Sequence, residues 1–218
     1  MSDSPLLTRP GDTVVLPSLY LAPPAYYAAA LRFGNVLIDT AMRYDKRRKA
    51  VHRCTIVDTR GPLSLTVPVS VPHGTGGPLL WDRVGVSSHG RWWHLHRTAL
   101  ESAYGRTPFF EFIIDRFDGV YSDPTGRDLS VTALNMAAHR AIMDVLELWN
   151  GPKPACSADG QTVDLRRCNF DFADIPPYRQ IRADRLGFHP VSMFDLICNL
   201  GPDSLDYLAG LQLPDHVE

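Results

Sequence analysis

The sequence predicts an α+β fold: an N-terminal strand-helix-strand and hairpin sheet, followed by a mostly helical C-terminal half. Three observations carry this. An apolar strand, a proline-initiated helix and a second apolar strand follow one another within "TVVLPSLYLAPPAYYAAALRFGNVLIDT". Leu63, Leu65, Val67, Val69 and Val71 alternate with Ser64, Thr66, Pro68 and Ser70, the period of two that a half-buried strand requires. After Gly90 the apolar spacing changes to threes and fours, the period of a helix with one buried face.

Taken in order, Val14 to Leu16 form an apolar run that Pro17 and Ser18 break. Pro23 and Pro24 stand where a helix begins, because proline's fixed φ suits a first turn. "AYYAAALRF" continues that helix to Gly34–Asn35, and "NVLIDT" is an apolar strand closed by Asp39. "CTIV" and "LSLTVPVS" form a hairpin, with turn chemistry from Asp58 to Pro62. Pro68 lacks a ladder donor and places its strand at or near an edge. "HGTGGP" reads as a flexible loop and "WDRVGVSS" as a weaker strand. "RWWHLHRTALESAYG" is a helix closed by Gly105, and Pro108 opens another in "PFFEFIIDRFDGVYS". "DLSVTALNMAAHRAIMDVLELWNG" is the strongest helix, with Val131, Leu134, Ala138, Ile142, Val145, Leu146 and Trp149 on one face before Gly151–Pro152 stops it. Residues 152–177 read as loop-like, a lid or domain edge, and "HPVSMFDLICNLGPDS" as a last helix ended by Gly201–Pro202. Ser192 and Asp195 there have the spacing of a capping box.

Composition narrows the function. The chain has 218 residues, 44% hydrophobic and 21% charged, with a formal net charge of -2. That content supports a substantial core and argues against a general nucleic-acid binder, which carries a basic excess. Four scattered cysteines form no CxxC pair, so neither a disulfide framework nor a zinc site is expected. The opening "MSDSPLLTRPGD" has no signal-peptide pattern, and no apolar run reaches membrane-spanning length. A cytoplasmic protein is expected, with no membrane or nucleic-acid partner, and a homo-oligomer is compatible with the sequence.

Against this balanced background, "RYDKRRKAVHRC" at 43–54 gathers Arg43, Lys46, Arg47, Arg48, Lys49 and Arg53. A local cluster on a neutral chain favours a small anionic ligand over a polymer. Lys46 and Arg53 flank it near the strand ends, where they could supply a point charge and a bidentate fork to a phosphate or carboxylate. Helical geometry separates His94 from His96 and places His96 on the inward face with Trp92, Ala99, Leu100 and Ala103. It is either a core histidine or a general base tuned by burial. Glu101 and Tyr104 sit on an adjacent face as a carboxylate and a phenol. Cys54 follows Arg53 at a strand start, where cationic neighbours would lower its pKa and favour a thiolate nucleophile; the alternative is a small buried strand residue. Asp39 ends a buried strand, a position where ligand-holding carboxylates project. No dinucleotide fingerprint, P-loop, HExxH or GxSxG occurs, so no cofactor and no metal are expected.

Several blocks together resemble the WbqC-like protein family. "LPSLYLAPPAYYA" resembles its opening pattern, with Leu16–Pro17 where a Gln-Pro is common. "LIDTAMRYDKRRKAVHRCTI" resembles its strand-and-basic block, with Asp39–Thr40 in place of an acidic pair and His52 in place of an Asn. "LSLTVPVS", "HLHRTALESAYGRTPFFEF" and "SMFDLICNLGPDS" resemble its later segments. The resemblance implies one domain over 1–218, with motif coverage of about 14–205. It points to Tyr20, Pro23, Tyr27, Asp39, Tyr44, Lys46, Arg53, His96, Tyr104, Phe109, Asp195 and Asn199. The family is associated with surface-polysaccharide and O-antigen gene clusters. It thereby implies a biosynthetic transferase moving an acyl or aminoacyl group to an amine, such as that of a nucleotide-linked amino sugar. In that scheme Lys46 and Arg53 hold an anionic substrate part and His96 takes a proton, oriented by Glu101 or Asp39. Tyr20, Tyr27, Tyr44 and Tyr104 line the pocket, and Cys54 carries the acyl group in a variant scheme. A non-catalytic module that binds a small molecule or a pathway partner is the rival expectation.

Overall fold

The apolar runs become strands and the three-and-four spacings become helices in the computed structural model, which describes residues 12–33, 35–72, 77–149, 160–170 and 175–212. Strand β1 (Thr13–Pro17) leads into helix α1 (Pro24–Arg32), which has Pro24 in its first turn. Residues Pro24 to Ala30 are all buried. Such a helix is apolar all round because it lies inside the molecule. Strand β2 (Asn35–Asp39) follows. Strands β3 (Arg53–Asp58) and β4 (Gly61–Thr66) form the expected antiparallel hairpin. Its turn is tight: Asp58 Oδ1 accepts the Arg60 N–H at 2.6 Å and Gly61 adopts a φ of 122°.

The period-two run does not remain one strand. Beyond Thr66 it breaks at Pro68 and resumes as β5 (Val69–Ser70), paired with β6 (Gly85–Val86) in a separate sheet. Proline supplies no ladder donor, so the chain changes partner there.

Helix α2 (Trp92–Tyr104) ends at Gly105, whose N–H reaches the Glu101 carbonyl at 2.9 Å. Helix α3 (Phe110–Ile113) is a single turn that tightens into a 3-10 turn at Ile114–Phe117 and starts two residues beyond Pro108. Helix α4 (Val131–Leu148) begins at Ser130, whose Oγ accepts the Ala133 N–H at 3.2 Å. Its buried face includes Val131, Leu134, Ala138, Ile142, Val145 and Leu146, together with Thr132, Asn135 and Ala141, and Trp149 is half-buried beyond its end.

The segment 152–177 is not wholly loop. It contributes β7 (Thr162–Asp164), a third parallel strand. Only three residues long, β7 carries too little periodicity to be read from sequence; the main chain of β1 holds it. The remainder of that segment at 152–159 and 171–174, the loop at 73–76 and the Gly151–Pro152 helix stop lie outside the described residues. The chain closes with α5 (Ala183–Leu186), α6 (Met193–Leu200) and α7 (Ser204–Gly210). Gly201 ends α6 with a φ of 57°, and a side chain there would collide with the Phe109 ring.

The parallel sheet has the order β2-β1-β7. β1 and β2 end level at Pro17 and Asp39, and β7 ends at Asp164 opposite Val15. The main apolar cluster joins α1, α2, α4 and α6 to β1 and β3. A smaller one, made of Met42, Val51, Trp81, Val84 and Val131, anchors both ends of the basic stretch. Each such side chain contributes about 1.5–3 kcal/mol on burial, so the ends of that stretch are held while its middle remains exposed.

Candidate functional site

The ends of the parallel strands open onto two clefts, as in open α/β sheets, where ligands sit beyond the carboxyl ends of the strands. Asp39 and Asp164 line the larger, of about 980 Å³, together with Arg43, Tyr44, Arg166 and the basic loop. Pro17 lines the smaller, of about 510 Å³, with Tyr20, Arg53, Cys54 and Ser192. Arg47, Arg48 and Arg167 belong to both and form the ridge between them.

Buried polar bonds aim the basic loop. Asn135 of α4, 2% exposed, donates to Ser18 Oγ at 3.1 Å and to the Val51 carbonyl at 2.8 Å. The Tyr20 N–H donates to the Ala50 carbonyl at 3.0 Å. The turn after β1 and the end of the basic stretch are thus fixed to one helix. Leu21, in the same turn, has a φ of 41°, a strained conformation for a leucine that such surrounding bonds sustain.

Electrostatics separate the clefts. In the larger, Arg166 bridges the ends of two strands: Nη1 reaches Asp39 Oδ2 at 2.9 Å and Nη2 reaches Asp164 Oδ2 at 2.6 Å. Those bonds pull the Asp164 carboxyl down to about 2. In the smaller, Arg47, Arg48, Lys49, Arg53 and Arg167 are lining residues and no carboxylate is, among the described residues. Arg47 is paired outward with Asp45 at 3.2 Å. Arg53 Nε donates to Thr66 Oγ1 at 2.9 Å, which braces its guanidinium across the hairpin.

Beneath the smaller cleft lies a buried polar network. His96 Nδ1 stands 3.0 Å from the Tyr20 hydroxyl, which stands 3.4 Å from that of Tyr121. The Thr66 carbonyl also accepts from the ring, and burial nevertheless pushes the imidazole down to about 4. His96 is therefore neutral near pH 7. In the tautomer with its hydrogen on Nε2, the ring can accept the Tyr20 hydroxyl hydrogen at Nδ1.

The expected site residues are only partly brought together. Tyr20, Arg53 and Cys54 line the smaller cleft, and Asp39 and Tyr44 the larger. Lys46 is exposed and lines neither. His96 lies one residue behind the cleft wall. Glu101 pairs with Arg97 at 3.0 Å on the exposed face of α2, so it does not orient His96; nor does Asp39, held by Arg166. Tyr27 is buried and stacked on His139 at 5.5 Å. Tyr104 is buried and accepts the Val57 N–H at 3.1 Å; neither lines a cleft. The expected activation of Cys54 is reversed: burial pushes its thiol up. The capping box is also absent. Ser192 is the N-cap residue but its side chain makes no cap bond, and Asp195 accepts from the Tyr178 hydroxyl at 2.6 Å and Gln180 at 2.9 Å.

Arg166, Arg167 and Asp164 were not anticipated, and Ser192 only as a helix cap. A weak signal existed: both "LID" and "TVD" end in aspartate, and a pair of arginines follows each, beginning two residues after the second and eight residues after the first. Among the described residues no group of three metal-ligating side chains occurs, and no helix is long and apolar enough to cross a membrane.

The fold and clefts thus define an α+β protein with a cation-lined site at the ends of a small parallel sheet. A family model for the WbqC-like protein family matches residues 18–153, and the chain belongs to that family. The matched stretch runs from the turn after β1 through α4, leaving β1, β7 and α6 outside it. No curated protein and no solved structure matches the chain.

Proposed function

We propose that the protein is a biosynthetic transferase that moves an acyl or aminoacyl group onto the amine of a small molecule, with an anionic substrate part held in the smaller cleft. The observation that carries this reading is the lining of that cleft: five cations and no carboxylate among the described residues, above a tyrosine tied to a buried histidine. Guanidinium forks hold a phosphate or carboxylate bidentately, while the larger cleft, with Asp39, Asp164 and Tyr44, accommodates an amine-bearing partner. The amine attacks the acyl carbon, and the bond to the leaving group breaks. The leaving group departs as an anion toward Arg53 and Arg167. The amine's proton passes to Tyr20 Oη as Tyr20 gives its own to Nδ1 of His96, which becomes imidazolium. The exposed ammonium of Lys46 adds to the field that draws anions in.

The test is a panel of activated acyl donors and amine acceptors, with products followed by mass spectrometry. Expected outcomes are a kcat reduced about 10²–10⁴-fold in His96→Gln and a raised KM in Arg53→Met. Transfer undiminished in His96→Gln would remove the relay.

The second reading is a binding module. Its support is the resting chemistry: burial raises the Cys54 thiol and the Tyr20 hydroxyl and lowers the His96 imidazole, so none is reactive as it stands. Ligand-induced rises in melting temperature without turnover, across the same panel, select it over the transferase.

A further inference from the structure

We propose that the smaller cleft seats a diphosphate whose inner end is held by the hydroxyl of Ser192 at the start of α6; this rests on reading that cleft as the anionic-substrate site. Ser192 stands in a cap position without capping. Its side chain makes no bond to the helix, and its Oγ has no hydrogen-bond partner although the residue is only 3% exposed. Buried hydroxyls are ordinarily paired, and this one lines the cleft. A ligand oxygen supplies the missing partner.

The backbone around it is already committed. The Ser192 N–H donates to the Thr55 carbonyl and the Met193 N–H to the Ala22 carbonyl, each at 3.0 Å. β3 and the turn after β1 therefore grip the residue from two sides, which leaves the hydroxyl as its uncommitted polar group. The first turn of α6 adds positive potential at the same point.

Charge identifies the ligand class. Arg48, Lys49, Arg53 and Arg167 line this cleft and none is in a close ion pair among the described residues, although Asp45 and Asp164 of the neighbouring cleft lie near enough to feel Arg48 and Arg167. Four cations lining one cleft exceed what a single carboxylate neutralises and suit linked phosphates, whose oxygens fit guanidinium forks. The rest of the wall is apolar, with Leu19, Leu21, Phe170 and Val191, and accommodates an organic group attached to the diphosphate. A volume of about 510 Å³ lies within the range of small-molecule sites.

Calorimetric titration with inorganic pyrophosphate tests the seat, using the full chain, Ser192→Ala and Arg53→Met, with acetate as the carboxylate control. Ser192→Ala is expected to weaken pyrophosphate at least about tenfold, with its melting temperature unchanged or raised because a methyl replaces an unpaired hydroxyl. Arg53→Met is expected to weaken it as well, and acetate to bind more weakly than pyrophosphate. Ser192→Cys, of similar size with a weak donor, gives the same comparison if the alanine variant folds poorly. Pyrophosphate affinity lost in Arg53→Met but kept in Ser192→Ala overturns the seat and leaves the cleft reading standing. Equal binding by all variants, no binding by any, or acetate binding as tightly as pyrophosphate overturns the diphosphate assignment; the transfer assay then decides the cleft reading by itself.

Discussion

His96 shows what a single residue contributes and what its sequence could disclose. Helical spacing placed it on the inward face of α2, and there it is. Its partner Tyr20 is 76 positions away, beyond any local pattern. The same spacing could not tell that Glu101 turns to Arg97, because a carboxylate on a helix edge has both solvent and neighbours to choose from. The imidazole has a measurable consequence. Its pKa of about 4 lies below that of an unfolded histidine, about 6.5, so between those values the unfolded chain binds more protons. Stability is then complete above about pH 6.5 and falls as pH drops toward 4, by about 2 kcal/mol at pH 5 for this residue. His139, lowered by burial to about 4, acts in the same direction, whereas Asp195, raised by burial, acts in the opposite one. Urea unfolding at pH 7.5 and pH 5 should therefore show a smaller acid loss in His96→Gln than in the wild-type chain. An identical loss in both would mean the imidazole titrates normally.

At the scale of elements, the strong periodicities were legible and the short ones were not. Most of the apolar face of α4 could be read because seven apolar residues repeat at helical spacing, whereas the buried Thr132, Asn135 and Ala141 could not. β7 and α7 escaped notice, since three strand residues or two helical turns carry little pattern and owe their conformation to neighbours. The end of α6 lay between these cases. Gly201 and Pro202 announce a stop, but not that the Phe109 ring, from another element, lies against the glycine. Two costs therefore meet at that position: a φ of 57° that side chains avoid and an aromatic ring that would have to shift. Gly201→Ala is expected to destabilise by at least about 2 kcal/mol, measured as a lowered urea midpoint. Ser130→Ala, removing the one side-chain cap of α4, should cost about 1 kcal/mol in the same assay.

At the scale of the molecule, the candidate site draws on distant parts of the chain. The basic loop belongs to the family-matched stretch, whereas Arg167 and Ser192 come from beyond residue 153. A sequence reading that follows blocks in order finds the first group, misses Arg167 and reads Ser192 only as a cap, because closure of the cleft depends on β7 and α6 returning to β1 and β3. The sheet makes the same demand. β1 lies between β2 and β7, and the Gln161 N–H reaches Asp12 Oδ1 at 2.9 Å from 149 positions along the chain. A chain ending at residue 149 would lack β7 and leave one side of β1 without its ladder. It is expected to be recovered mainly as aggregate, monitored by light scattering against the full chain.

A ribosome adding about 5–20 residues per second produces β1 long before its last neighbour. For roughly ten seconds or more the nascent polypeptide carries a sticky, half-bonded ribbon, and its yield in a cell should depend on how well folding helpers shield that ribbon until synthesis is nearly finished.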